Sequence, residues 1–310
     1  MVGDVMLDQY WYGQIDRISP EAPYRRSDFK KDIRLGGAAN VAINCREMGA
    51  EVHLLSVCGK DTDGQILKKL CLDHGISTEF LIEVNRPTTI KTRILAKNQQ
   101  LLRVDEEVTD DLNTADQHHF IDSCMRAIQI EAPDVLIFED YNKGLLDANT
   151  IEKLINHCRT VGVLTSGSEI QKLFAYSRCD IFKPNLKEIR EALNSSILPE
   201  LQSLRQTHKL LFDKLQHQIT LITLSEKGIF IQDQEGTSTI IPAFPRKIAD
   251  VSGAGDTVIS VMSLFYAVSS NGFFSAQIAN LAGGLVCEEV GVVPINKKAL
   301  RKECIKFIKI

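Results

Sequence analysis

Through most of the chain, short apolar runs alternate with stretches whose apolar residues recur at helical spacing. Val52-His53-Leu54-Leu55-Ser56-Val57 reads as a strand, and Gly64 to Leu70 after it as a helix. Asp134 to Phe138 is a second strand, ending at Glu139-Asp140, with a helix from about Asn149 to Arg159. Ile181-Phe182 leads through Lys183-Pro184-Asn185 into a helix from Leu186 to Leu193, and Thr220 to Leu224 is a further buried strand. Repeated strand–helix units predict an α/β fold, a mostly parallel sheet with helices on both faces. Ligands of such sheets bind beyond the strand C-termini. Gly3-Asp4, Gly59-Lys60-Asp61, Glu139-Asp140, Lys183-Pro184-Asn185 and Ser225-Glu226-Lys227-Gly228 fall there.

Two segments, about 10–34 and 88–105, break this rhythm with period-two alternation. In the second, Ile90, Thr92 and Ile94 share one face, Thr89, Lys91 and Arg93 the other, and Asn98-Gln99-Gln100 forms the expected turn. These segments predict a small antiparallel flap beside the main sheet. Its polar face suits an anionic ligand, and equally reads as a solvated strand face.

Chemistry concentrates in Asp250-Val251-Ser252-Gly253-Ala254-Gly255-Asp256-Thr257, which opens the apolar helical pattern Val258, Val261, Met262, Leu264, Phe265. Gly253 and Gly255 allow a sharp turn, and the helix start adds unpaired amides and a favourable dipole, so the run is a candidate anion hole. Asp256 would repel a resting phosphate and is better suited to taking a proton from an attacking hydroxyl. The plainer alternative is a Gly-rich turn with Asp in the first helical turn. A dinucleotide fingerprint fits poorly, because Val258 stands at the third glycine position.

Composition narrows the class. With 310 residues, 44% of them hydrophobic, the chain has material for a large core. A net charge of −4 offers no basic field for nucleic acid or an anionic membrane. The longest apolar stretch, near Val258 to Val268, is too short to span a bilayer, and no secretory signal is visible. Eight scattered cysteines without a Cys-x-x-Cys pair read as reduced core residues of a cytoplasmic protein. His118-His119, the one histidine pair, reads as surface rather than metal site.

Together these pieces resemble the ribokinase/PfkB family of sugar kinases over nearly the whole chain. The carriers are Gly36-Gly37-Ala38-Ala39-Asn40-Val41-Ala42 and the Gly-Ala-Gly-Asp run more than two hundred residues later. Four further strings resemble the heptose 7-phosphate kinases of that family: Gly3 to Asp8, Arg17 to Pro23, Arg86 to Arg93, and Asn98 to Asp105. The resemblance implies a single ribokinase-like kinase domain over 1–310 with the flap as lid, and no fused nucleotidyltransferase domain. It also implies ATP as co-substrate and Mg²⁺; the cysteines and charge add a cytoplasmic location without a nucleic-acid or membrane partner, and the exposed strand edge of the flap predicts a homodimer through it. A monovalent cation near Asp250 stays open.

By residue, the resemblance makes Asp256 the base and Gly253, Ala254 and Gly255 the anion hole. Asp8, Gly37, Asn40 and Asp140 become sugar-binding, and Lys91, Arg93 and Arg103 candidates for a phosphate the substrate already carries. Asn185 and Glu188 match an Asn-x-x-Glu motif facing metal-bound phosphates, with Glu188 acting on the metal indirectly; the same pair fits a helix capping box. Ser225 and Gly228 lie in the loop over the nucleotide, Asn280 and Gly284 in the adenine pocket. The implied reaction is phosphorylation of O1 of D-glycero-β-D-manno-heptose 7-phosphate to the 1,7-bisphosphate, a precursor step for ADP-heptose and lipopolysaccharide core.

Three departures stand out. Thr165-Ser166-Gly167-Ser168 replaces an Asp-Pro-Lys-like string, removing a carboxylate at Ser166 and a lysine at Ser168. Asn142 stands where Gly is common. Only Met1 and Val2 precede Gly3-Asp4, so the first strand is short, as in a truncated start. Two alternatives therefore accompany the heptose kinase: a kinase for another sugar or sugar phosphate, and a nucleotide- or sugar-binding protein with little turnover.

Overall fold

The computed structural model describes residues 1–13, 30–96, 99–167 and 173–308. The first third forms β1 (Val2–Gly3), β2 (Val5–Gly13), β3 (Lys30–Gly37), α1 (Ala38–Glu47), β4 (Ser56–Gly59), α2 (Thr62–Asp73), β5 (Leu81–Val84), β6 (Ile90–Ala96) and β7 (Gln99–Glu106). The middle forms α3 (Thr114–Glu131), β8 (Val135–Glu139), α4 (Ala148–Val161), β9 (Leu164–Gly167), β10 (Ile181–Phe182), α5 (Leu186–Ala192), α6 (Leu201–Leu215) and β11 (Ile219–Thr223). Then come β12 (Ile229–Gln232), β13 (Ser238–Ile241), α7 (Ala254–Ser269), α8 (Gly272–Val286) and α9 (Lys297–Phe307).

The main sheet runs β1-β8-β9-β10-β11-β12-β13, parallel from β1 to β11 and antiparallel beyond. A bridge from Val2 to Leu55 sets the parallel pair β4–β5 beside β1. One face is covered by α3, α4 and α6, through Phe120, Leu154, Leu204 and Leu211. On the other, α1 and α2 bury Val41, Ile43, Leu67 and Cys71, and α7 and α8 bury Val261, Met262, Ile278 and Leu281. Seven cysteines are buried and carry no disulfide, and burial pushes the Cys71 thiol up to about 12. His118 and His119 are exposed on α3.

The flap is present as a separate sheet, β3-β2-β6-β7. It is antiparallel within the hairpins β2–β3 and β6–β7, while β2 and β6 pair in parallel across its centre. Both strands leave the same edge of the main sheet, β2 from β1 and β6 from β5, so they run the same way. Gln99 and Gln100 already belong to β7 rather than to a turn, and Asn98 lies outside the described residues.

Most helices begin on a side-chain cap: Asp61, Asn113, Asp147, Asn185, Asn271 and Asn296 each accept a backbone N–H of the first turn. The packed pair α1 and α7 begin on Gly37 and Gly253 instead, without a side-chain cap. Asn44 joins them from within. Its Nδ2 donates to the Asn40 carbonyl (2.8 Å), and its Oδ1 accepts from Ile295 N (2.9 Å) and the Thr257 hydroxyl (3.2 Å). The Thr257 hydroxyl also reaches the Gly253 carbonyl (3.0 Å), so Asn44→Leu should strand one buried donor, the Ile295 N–H, and lower stability by about 1–3 kcal/mol. Denaturant titration measures this, and a loss below about 1 kcal/mol would mean that water or rotation replaces the bonds.

Candidate active site

Strand ends and two uncapped helix starts converge on Asp256. Its carboxylate is buried, accepting from Asn40 Nδ2 (2.7 Å) and from the Tyr141 hydroxyl (3.0 Å). Burial raises its pKa above the ordinary aspartate value; the Asn40 and Tyr141 bonds and the Lys183 charge oppose the rise, and Asp8 adds to it. Tyr141 is itself fixed from behind, its N–H donating to Asp4 Oδ2 (2.9 Å). Burial and the neighbouring Asp256 and Glu139 push the Tyr141 phenol well up, so it serves as a donor.

Gly253 caps α7 in the left-handed region (φ 76°). A side chain there would also meet Asn40 Nδ2, at 3.0 Å from an added Cβ. The Ala254 N–H is partly engaged, donating to the Val251 carbonyl at 3.3 Å, so the amides best placed for an anion are those of Gly255 and Asp256 in the first turn. Lys183, just past β10 and 5% exposed, adds a fixed positive charge: its Nζ lies 3.8 Å from where a Cβ of Gly255 would stand. Ser166 does not face this cleft. It is fully buried in β9 and accepts from the Ser263 hydroxyl of α7 (2.8 Å), so a carboxylate at 166 would be forced into the core. Ser168 lies outside the described residues, but Lys183 N donates to the Gly167 carbonyl (2.9 Å) and brings a lysine to the same strand ends from the next strand.

The flap presents a charged face. Facing rows run Arg34, Asp8, Lys91, Asp105 and then Asp32, Tyr10, Arg93, Arg103 across β3, β2, β6 and β7. Arg93 donates to the buried Asp8, Lys91 lies 3.4 Å from Glu107, and Arg103 lies 3.0 Å from Asp105 with its side chain half exposed. Arg93 and Arg103 stand directly opposite each other, a like-charge pair that an anion between them would relieve. Asp140 is buried and accepts from Asn142 N (2.8 Å), and Gly37 starts α1. Asn40, expected on the sugar, is committed through Nδ2 to Asp256.

Asn185 and Glu188 make a full capping box, with Asn185 Oδ1 accepting from Glu188 N (2.9 Å) and Glu188 Oε2 from Asn185 N (2.7 Å). Ser225 and Gly228 lie at the 3-10 turn after β11. Asn280 donates to the Pro242 carbonyl (2.8 Å), and the Arg246 guanidinium lies against Gly284, held by Glu288 (3.1 Å) and Glu303 (2.5 Å). These residues gather at the β13 side of the α7 start, apart from the flap.

Pattern reading missed Tyr141, and it placed Glu139 and Lys183 at ligand-facing strand ends without giving either a role. The available signals were Asp140-Tyr141 at a strand end and Lys183 beside the Asn-x-x-Glu motif. Glu139 is buried with no partner for Oε2, and burial together with Asp256 raises its pKa well above the usual range. Among the described residues no ready cluster of three metal ligands exists. An unpartnered Glu139 oxygen near Glu188 and Asp140 nevertheless fits a divalent cation shared with phosphates. Around Asp250 the donor set fits a monovalent cation less well: both oxygens accept N–H groups, from Ser252 and Gly291, and the Val290 and Val292 carbonyls accept from Arg34.

The sequence pattern of the pfkB family of carbohydrate kinases matches residues 1–299. The chain belongs to that family. It is 36% identical over 292 residues to the bifunctional protein HldE of Nitratiruptor sp., covering 94% of this chain and 61% of that one. It is 35% identical to the D-beta-D-heptose 7-phosphate kinase of Bordetella bronchiseptica, covering 98% and 95%. The chain thus spans about three fifths of the bifunctional relatives. Similar solved folds are phosphofructokinase-2 from Escherichia coli in complex with potassium (TM-score 0.79, 16% identity, 97% of each chain) and Arabidopsis thaliana ribokinase complexed with ribose and ATP (TM-score 0.72, 16% identity, 97% and 96%).

The protonation midpoint of Asp256, followed by carboxyl NMR, should lie above the ordinary value of about 3.9. Asn40→Ala removes a donor that favours the charged form and should move the midpoint to still higher pH. An unchanged midpoint would detach Asn40 from the charge on Asp256.

Proposed function

We propose that the chain is an ATP-dependent kinase that phosphorylates a sugar phosphate, with O1 of D-glycero-β-D-manno-heptose 7-phosphate the best-supported acceptor. The observation that carries this is the buried, doubly hydrogen-bonded Asp256 one residue beyond the free Gly255 amide and beside Lys183. A carboxylate with a raised pKa accepts the hydroxyl proton, while the amides and the lysine receive the phosphoryl charge. Opposed Arg93 and Arg103 with Lys91 suit a second phosphate on the acceptor, which a neutral sugar would not need. The heptose-kinase relatives at about 35% identity point to the same acceptor class.

ATP would reach the anion hole from the Ser225–Gly228 and Asn280–Gly284 side. Glu188 and Glu139 would hold Mg²⁺, which when bound neutralises phosphate charge. No monovalent cation is assigned. A homodimer through the flap is the partner reading, supported by exposed Leu102 and Val104 on the edge strand β7. Among the described residues no helix is long and apolar enough to cross a membrane. Both Asp256 and Lys183 are in place, so the binding-protein alternative has no structural observation in its favour.

Asp256→Asn should lower kcat by about 10²–10⁴-fold while nucleotide binding persists. Near-normal turnover of heptose 7-phosphate would remove Asp256 from the chemistry. Arg93→Gln or Arg103→Gln should raise KM for the phosphorylated sugar more than for its unphosphorylated analogue, because a charge-assisted bond contributes about 1.5–3 kcal/mol. Equal effects on both sugars would leave these arginines only shaping the flap. In a panel of heptose 7-phosphate, ribose and fructose 6-phosphate, preference for either of the others would redirect the acceptor.

A further inference from the structure

A line of contacts joins the flap to the anion hole without touching the proposed acceptor or base. Arg34 of β3 donates through Nη1 to the Val290 and Val292 carbonyls (3.1 and 3.0 Å), and its Nε and Nη2 hold Asp32 (2.9 and 2.7 Å). Its guanidinium lies over the ring of Tyr10, 4.8 Å from the centroid, and the Tyr10 hydroxyl accepts from Val292 N (2.9 Å).

Gly291 sits between these anchors in the left-handed region (φ 77°). A Cβ there would stand 2.9 Å from the Tyr10 hydroxyl and 3.0 Å from Arg34 Nη1, so only glycine lets the loop close against the flap. From Gly291 the line continues inward. Its N–H donates to Asp250 Oδ2 (2.9 Å), and Asp250 Oδ1 holds the Ser252 N–H (3.0 Å) and hydroxyl (2.9 Å). Ser252 directly precedes Gly253, the residue that starts α7.

We infer that Arg34 and Tyr10 are positioning residues that couple the flap to the anion hole through Gly291 and Asp250. A rigid shift of the flap breaks three hydrogen bonds to the 290–292 loop at once, two of them charge-assisted, so loop and flap move together. Asp250 is bonded at both ends and passes that displacement to the turn at Gly253. The outer end is also in reach of a ligand, because the Arg93 guanidinium lies 5.4 Å from the centroid of the same Tyr10 ring. A phosphate that reorients Arg93 therefore acts on the ring that Arg34 and Val292 hold.

The inference rests on the phosphate-binding role proposed for the start of α7, and Trp11 offers a test that needs no acceptor sugar. Trp11 follows Tyr10 in β2, is the only tryptophan of the chain, and lies under Lys31 (4.4 Å from the ring centroid). Binding of the non-hydrolysable analogue Mg·AMP-PNP, measured by calorimetry, should change Trp11 fluorescence with the same dissociation constant. In Arg34→Ala the analogue should bind within about threefold of the parent affinity while the fluorescence amplitude falls at least fivefold, and added methylguanidinium should restore part of it. Tyr10→Phe, which keeps the ring and removes one bond, should give an intermediate amplitude and serves if Arg34→Ala does not fold. Full amplitude in a folded Arg34→Ala, or in Tyr10→Phe if that is the folded variant, would overturn the coupling. So would calorimetric binding to the parent with no change at Trp11. If calorimetry detects no binding to the parent at all, the phosphate-binding reading itself fails and takes the coupling with it.

Discussion

A carboxylate taken out of water at the mouth of α7 is the constraint on which the rest of the site depends. An ionised aspartate in the interior is tolerated only with donors to replace its hydration. Here they come from different parts of the chain: Asn40 from α1 and Tyr141 from the loop after β8. Each donor needs its own support. Asn44 holds the Asn40 carbonyl, and Asp4, between β1 and β2, holds the Tyr141 amide. Burying one charge thus fixes the relative positions of α1, α7, β1 and β8.

The same burial tunes the chemistry. Desolvation makes Asp256 a stronger base than an exposed aspartate, and the two hydrogen bonds oppose that rise. Burial also raises Glu139, which lacks a donor on one oxygen, well above the usual carboxylate range.

On the flap, charge is balanced in a different way. Three carboxylates, Asp8, Asp105 and Glu107, pair with four cations, Arg93, Arg103, Lys91 and Lys143, and leave one positive charge over. A phosphate bound there, as proposed, would exchange with these carboxylates. Affinity then depends on how the arginines rearrange, and the Tyr10 ring beneath Arg93 feels that rearrangement.

The elements and the Gly-rich turn before α7 were legible in the sequence, because both are written in local spacing. Apolar periodicity marks β8, β11 and the helices from Asn149 and Leu186, and Gly-Ala-Gly-Asp before an apolar run marks the start of α7. Asn185 and Glu188 were legible as a capping box for the same reason, being three residues apart. Only the tertiary structure decided the roles that depend on distant partners. It bonded Asn40 to Asp256, joined the two hairpins of the flap through a parallel pair, and set Ser166 against α7. It also brought Tyr141, Lys183 and Glu139 into the site. Spacing along a chain fixes which face of an element a residue occupies, whereas the groups that meet it there are set by how sheet and helices pack.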